Sequence, residues 1–289
     1  MKKILYMALA TAFIGLASCD DDFDGNNRFK DNPNPPVIDT TGYVKRVLVE
    51  DFTGQNCINC PDAAQMLAQL KEETYGDRMV LVAMHAGGLS LGTPLHNDVA
   101  QTYMTALGMG ANNPAISIDR AYSDDGVYAN WPNPIASRAA ASTPCEVRQF
   151  VSMDGERAVS VLAQVSFSSA VSDSIGVQHW LVQDSIIDYQ VTHNDTDGTP
   201  DGVDYNYVHN HVFRSCLYDD IWGVSLPTTD DGGYLAGQSY MAPATPGYTI
   251  PDDWDMDNLS IVSFVFRYST DESNPIAEVL QTNITHLRH

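Results

Sequence analysis

Apolar and polar positions follow three different rhythms along the 289-residue chain. From Val44 to Phe52 the apolar positions (Val44, Val47, Leu48, Val49, Phe52) crowd into a β-branched run that predicts a buried strand. A polar turn, Thr53-Gly54-Gln55-Asn56, follows it. Ala63, Met66, Leu67 and Leu70 then recur at helical spacing and stop near Tyr75-Gly76. Met79–Met84 predicts a second buried strand. Strand, helix and strand in such close succession make a βαβ unit, whose right-handed crossover requires parallel strands. Leu95, Val99, Tyr103 and Leu107 predict another helix over 94–107. Asn112-Asn113-Pro114 is a turn, Ala115–Ile118 a short strand, and Trp131–Ala141 a closing helix.

Past Pro144 the period becomes two. Val159, Val161, Ala163, Val165 and Phe167 alternate with Ser, Leu, Gln and Ser, and Val262, Phe264, Phe266 and Tyr268 with Ser, Val and Arg. Repeated strands with Gly/Asp/Ser turns predict an antiparallel, immunoglobulin-like sandwich. The Gly/Pro/Asp-rich stretch from Thr228 to Asn258 is too long for a structureless loop, so edge strands are expected within it.

The amino terminus carries an address. Lys2 and Lys3 precede an apolar stretch, Ile4–Leu16, that is too short to span a bilayer, so residues 1–18 read as a cleaved signal peptide. The stretch ends in Leu16-Ala17-Ser18-Cys19, which resembles a bacterial lipobox, and diacylglycerol on Cys19 would anchor the mature chain. Asp20-Asp21-Asp22-Phe23-Asp24 resembles the acidic surface-export signal of Bacteroidetes lipoproteins. Residues 19–42, with Asn32-Pro33-Asn34-Pro35-Pro36, form an acidic, Pro-stiffened tether. The expected organisation is therefore signal peptide 1–18, tether 19–42, an α/β domain over 43–143 and a β-sandwich over 144–289.

Composition narrows the function. Fifteen Lys and Arg against 37 Asp and Glu give a net charge of −22, with no basic cluster, which excludes nucleic acid as a partner. A 44% hydrophobic content excludes wholesale disorder.

Of five cysteines, lipidation accounts for Cys19. Cys145 and Cys216 are isolated, and suit either one disulfide or two small buried side chains. Cys57-Ile58-Asn59-Cys60 lies at the corner between strand and helix. A helix start favours a thiolate at Cys57, and a cysteine one turn on can resolve a mixed disulfide. A zinc site would need a second Cys/His pair that the spacing does not provide. No cofactor motif accompanies these residues.

At this point the chain resembles the thioredoxin superfamily. Asp51-Phe52 stands before the CxxC as a buried Asp-Phe does there, implying that Asp51 moves protons for Cys60. Asn113-Pro114 resembles the cis-proline turn that seats an extended peptide in that fold. Asn56 replaces the usual Trp, and Ile58-Asn59 is not a familiar redox dipeptide. A wider resemblance covers nearly the whole mature chain, to the 28-kDa outer-membrane-protein-related lipoprotein family of Bacteroidetes. It is carried by Val49-Glu50-Asp51-Phe52-Thr53-Gly54, the CxxC and Pro61, His85-Ala86-Gly87, Pro114 with Asp119-Arg120, His209-Asn210-His211-Val212-Phe213-Arg214, and Trp222-Gly223. It implies a thioredoxin-like domain, a β-sandwich and residence in the outer membrane.

Other residues admit a chemical and a structural role. His85 ends the second strand near the CxxC and suits proton transfer or a plain backbone hydrogen bond. His209 and His211, two apart, suit one strand face, but no third metal ligand is evident. Asp195–Asp204 has the oxygens and glycines of a Ca²⁺ loop without a bidentate Glu, and is more simply a solvated hairpin. Tyr234, Tyr240, Tyr248 and Trp254 suit a binding platform or the packing of their loop. Two functions follow: a surface lipoprotein that binds peptides or nutrients as an accessory to a TonB-dependent transporter, or an envelope thiol–disulfide oxidoreductase. The surface address, which lacks an electron partner, favours binding.

Overall fold

The computed structural model describes residues 42–155, 157–193, 202–228, 233–269 and 271–287. The signal peptide, Cys19, nearly all of the tether and Asp195–Asp201 lie outside the described residues. The first half of the chain forms β1 (Val47–Thr53), α1 (Cys60–Leu70), β2 (Met79–His85), α2 (Asp98–Ala106), β3 (Ala115–Ile118), β4 (Tyr122–Asp124) and α3 (Pro132–Ala139). The second half is almost all strand: β5 (Cys145–Asp154), β6 (Ala158–Phe167), β7 (Ile175–Gln183), β8 (Ile186–Val191), β9 (Val203–His209) and β10 (Val212–Cys216), then β11 (Val224–Ser225), β12 (Ser239–Met241), β13 (Tyr248–Thr249), β14 (Leu259–Tyr268) and β15 (Ile276–His286). Edge strands β12 and β13 fall where the long Gly/Pro/Asp-rich connection demanded them. The helix expected from residue 94 starts later, because Asn97 caps it: its side-chain oxygen accepts from the backbone N–H groups of Val99 and Ala100.

β1 and β2 pair in parallel, Val47 opposite Met79 through Thr53 opposite His85, with α1 crossing between them. The main sheet runs β15-β14-β7-β10-β2-β1-β3-β4. Strands from both sides of residue 144 therefore share one sheet, and the boundary expected there does not divide it. The junction is β10, parallel to β2 at Val212–Ala83 and antiparallel to β7.

Alternation on the strands sets the layers. Val47 and Val49 on β1, with Leu81 on β2, pack under Ala63 and Leu67 of α1 and Ile135 of α3. Leu48, Phe52, Val80 and Val82 point the other way, to Tyr103 and Met104 of α2. The same α2 layer meets Trp180, Phe264 and Phe266, while Val177, Val265 and Leu280 face a smaller sheet through Val147 and Val165. That sheet, β12-β6-β13 with β5 beside β6, lies on the α1 side.

Buried charges lock these layers. Glu50 takes Arg120 at 2.8 Å, and the guanidinium lies 4.3 Å from the centre of the Tyr103 ring. Asp119 receives Lys45 at 3.0 Å, Arg138 at 3.0 Å and the Leu48 backbone N–H at 2.9 Å. Asp119 and Arg120 hold positive φ, 50° and 56°, which costs a non-glycine residue energy that these contacts offset.

Candidate functional site

The site begins where β1 ends. A Cβ on Gly54 would sit 2.6 Å from the Leu89 carbonyl carbon and the Ser90 nitrogen, so only glycine lets the 87–90 loop cross here. Asn56 N–H donates to the Leu89 carbonyl at 3.1 Å, and Cys57 N–H to the Gly54 carbonyl at 3.0 Å. Cys57 and Cys60 are joined as a disulfide. Cys57 was expected at the helix start, but it lies in the turn before it, and α1 opens at Cys60. Pro61 suits this start: lacking an N–H to donate and with φ fixed near the helical value, it fits the first turn of a helix.

Beside Cys60 is a cavity of about 600 Å³, lined among others by Asp51, His85, Gln190, Tyr207 and His209. Asp51 projects from β1 on the α1 side, 3% exposed, and its Oδ1 has no hydrogen-bond partner. Burial pushes its carboxyl up to about 7. His85 has a Nδ1 equally without a partner. Burial, reinforced by His209, Arg214 and His96, pulls His85 down to about 3, so the ring is neutral. Its ring meets that of His209 edge-on at 5.3 Å between centres.

His209 and His211 do not share a strand face. His209 closes β9, while His211 takes φ 57° in the connection and pairs with Asp184 at 2.9 Å. Against burial, which raises it, His211 holds the Asp184 carboxyl below its ordinary value. No group of three metal-ligating side chains occurs among the described residues.

The hairpin β8–β9 roofs the disulfide. Gln190 Nε2 donates to the carbonyls of Gly54 (3.2 Å) and Cys57 (3.0 Å). Gln55 Nε2 donates to the Tyr189 carbonyl at 2.9 Å, and Val191 N–H to the Gln55 carbonyl at 2.8 Å. His193 Nε2 lies 2.8 Å from Asn59 Oδ1. Cys57 and Cys60 are consequently 1% and 2% exposed. Sequence reasoning missed this roof, because a glutamine on a two-stranded ribbon carries no chemical signature.

The Asn113–Pro114 peptide is cis. Ala115 stands opposite Phe52, which sets Pro114 level with Thr53 at the end of β1. Pro114 does not line the cavity. Its neighbour Asn113 binds the corner together: Nδ2 donates to the Phe52 and Ala86 carbonyls at 3.0 and 2.8 Å, and Oδ1 accepts from Leu89 N–H at 3.3 Å. Cys145 and Cys216 are free and buried, each thiol pushed up to about 12 by burial. Tyr234 and Tyr240 pack on Phe167, and Arg214 stacks on Trp254, so these aromatics fasten their loop.

A disulfide, a buried carboxyl and a histidine pair thus meet at the carboxyl ends of parallel strands, in a mixed α/β protein dominated by sheet. The model of the family described as outer membrane protein Omp28 matches residues 100–286, a span that includes His209–Arg214 and Trp222-Gly223 but not Cys57 and Cys60. The chain belongs to this family, and its compartment is the outer membrane. Among solved structures it is similar to a domain of the outer membrane lipoprotein Omp28 from Porphyromonas gingivalis, at 16% identity and a TM-score of 0.30, over 50% of this chain and 89% of that one. No curated protein matches the chain.

Proposed function

We propose that the protein is a binding or accessory lipoprotein, anchored through Cys19 and facing the cell surface, in which a thioredoxin-like scaffold over residues 43–143 forms a ligand cavity together with the β8–β9 hairpin. Its ligand is a peptide or a similar small nutrient, handed to a TonB-dependent transporter. The observation that carries this reading is the closure of the disulfide: both cysteines are buried under β8–β9, with Gln190 bonded to the turn that holds them. A disulfide buried to this degree serves as a brace, with Cys60 forming part of the wall of a cavity of the size of small-molecule sites that remains open to a ligand. The test is insulin-disulfide reduction alongside the Cys57/Cys60 potential. A strongly reducing, inert pair is expected; turnover that disappears in Cys57→Ser would overturn the reading. Acyl labelling lost in Cys19→Ala, and protease shaving of intact cells, check the anchor and the surface location.

One observation favours a second reading, a thiol–disulfide oxidoreductase. Asp51 and Cys60 line the same cavity, and the Asp51 carboxyl changes charge near neutrality. In that reading reduced Cys57 attacks a substrate disulfide, and Cys60 displaces the reduced substrate as its proton passes to Asp51. Pro114 seats the peptide, and an external dithiol resets the pair, its own two thiols becoming a disulfide.

A further inference from the structure

Among the described residues, the buried carboxylates have partners, with one exception. Glu50 has Arg120, Asp119 has Lys45 and Arg138, and the half-buried Asp184 has His211. Asp51, which lines the cavity, keeps a buried oxygen with no donor. Leaving such a group unmet costs about 1–3 kcal/mol, and more when it is charged. Nothing in its surroundings neutralises it. Neither Lys nor Arg is among the described residues that line the cavity. From β2, His85 stays neutral, pressed by burial and by His209, Arg214 and His96. From β9, burial also lowers His209, and Tyr207 is an acid whose own ionisation is opposed by burial and then by Asp51. Across the cavity Asp184 is already engaged by His211. From α1, Cys60 is held in the disulfide. A cation for Asp51 has to arrive from outside, and the unpartnered His85 Nδ1 on the same wall is a ready acceptor for a second N–H.

Resting on the binding reading above, we propose that this cavity binds a primary ammonium group, from a peptide amino terminus or a lysine-type side chain, with Asp51 as counter-ion and His85 as a second acceptor. The volume of about 600 Å³ suits a ligand of dipeptide size. Ammonium binding requires the ionised carboxylate, so a ligand bound below neutrality expels the Asp51 proton to solvent.

The test is calorimetric titration of the oxidised, full mature protein with lysyl-glycine, its α-N-acetyl form, its ε-N-acetyl form and the doubly acetylated form. At least one peptide with a free amine is expected to bind at least about tenfold more tightly than the doubly acetylated one, equivalent to about 1.4 kcal/mol. The singly acetylated pair tells the terminal amine from the side-chain amine. At pH 6, repeating the titration in buffers of different ionisation enthalpy should reveal release of close to one proton per ligand, and Asp51→Asn should abolish both the release and the preference. Should that variant not fold, the proton count on the unaltered protein decides. Equal affinity for all four peptides without proton release overturns ammonium recognition and leaves peptide binding standing. No binding by any of the four overturns both.

Discussion

Glu50 and Asp51 are neighbours on β1 that point to opposite faces of the sheet, and their environments assign them opposite chemistry. Glu50 is buried against Arg120 and Ser117. Arg120→Met should destabilise the protein by about 3–5 kcal/mol by leaving a buried charge unpaired, and Glu50→Leu with Arg120→Met should recover much of the loss. Urea denaturation of the single and double variants checks this. Asp51 has no such partner. In the unfolded chain its carboxyl ionises near 3.8, whereas the folded one holds its proton to about 7. The folded state binds more protons in between, so stability falls as pH rises through that window, by up to about 4 kcal/mol, and flattens above it. His85 and His179, both lowered to about 3, work in the other sense: they remove stability as pH falls from 6.5 towards 3. Asp51→Asn leaves the histidines in place. The stability of that variant relative to the parent should therefore grow from pH 4 to pH 7, read by urea unfolding at each pH. At this scale much was legible. A carboxylate and a cysteine pair announce their chemistry by type, and Asn-Pro announces a turn that can be cis. Gln190 was not legible, because an amide acts here only through where its strand is laid.

The elements that local pattern describes best are β1, α1, β2 and β3, since each is defined by its own apolar period. The placement of β10 depends on sequence-distant neighbours: β2 on one side, β7 on the other. No rhythm within Val212–Cys216 encodes those partners. The hairpin β8–β9 is a similar case. It forms a separate two-stranded sheet and spends its hydrogen bonds on the CxxC turn. Gln190→Ala removes two of those bonds, and a net loss of about 1.4 kcal/mol in the closed arrangement would expose the disulfide roughly ten times more often. Reduction of Cys57–Cys60 by dithiothreitol, followed by thiol trapping, should be about tenfold faster in that variant.

At the scale of the whole molecule, one sheet crosses the point where the chain's rhythm changes from helix-rich to alternating. Periodicity reports how a segment folds locally, and it is silent on whether two segments share hydrogen bonds. The shared sheet leads to a direct expectation. Residues 42–143 alone lack β10 beside β2, and lack Val279 and Glu278, which receive Lys45 and Arg138. That fragment should show no cooperative urea transition by circular dichroism, while the intact mature chain should unfold in one step seen alike by fluorescence and circular dichroism.

The same fastening has a mechanical side. Arg46 N–H donates to Gln281 Oε1, Gln281 Nε2 donates to the Val44 carbonyl, and Lys45 reaches the Val279 carbonyl, so the start of the folded body is stitched along its last strand. If the chain is anchored through Cys19, as proposed above, a pull from the membrane meets that seam first. The seam lies before the start of β1 and the cavity at that strand's other end, so such a pull would be met a strand length before it reached the chamber.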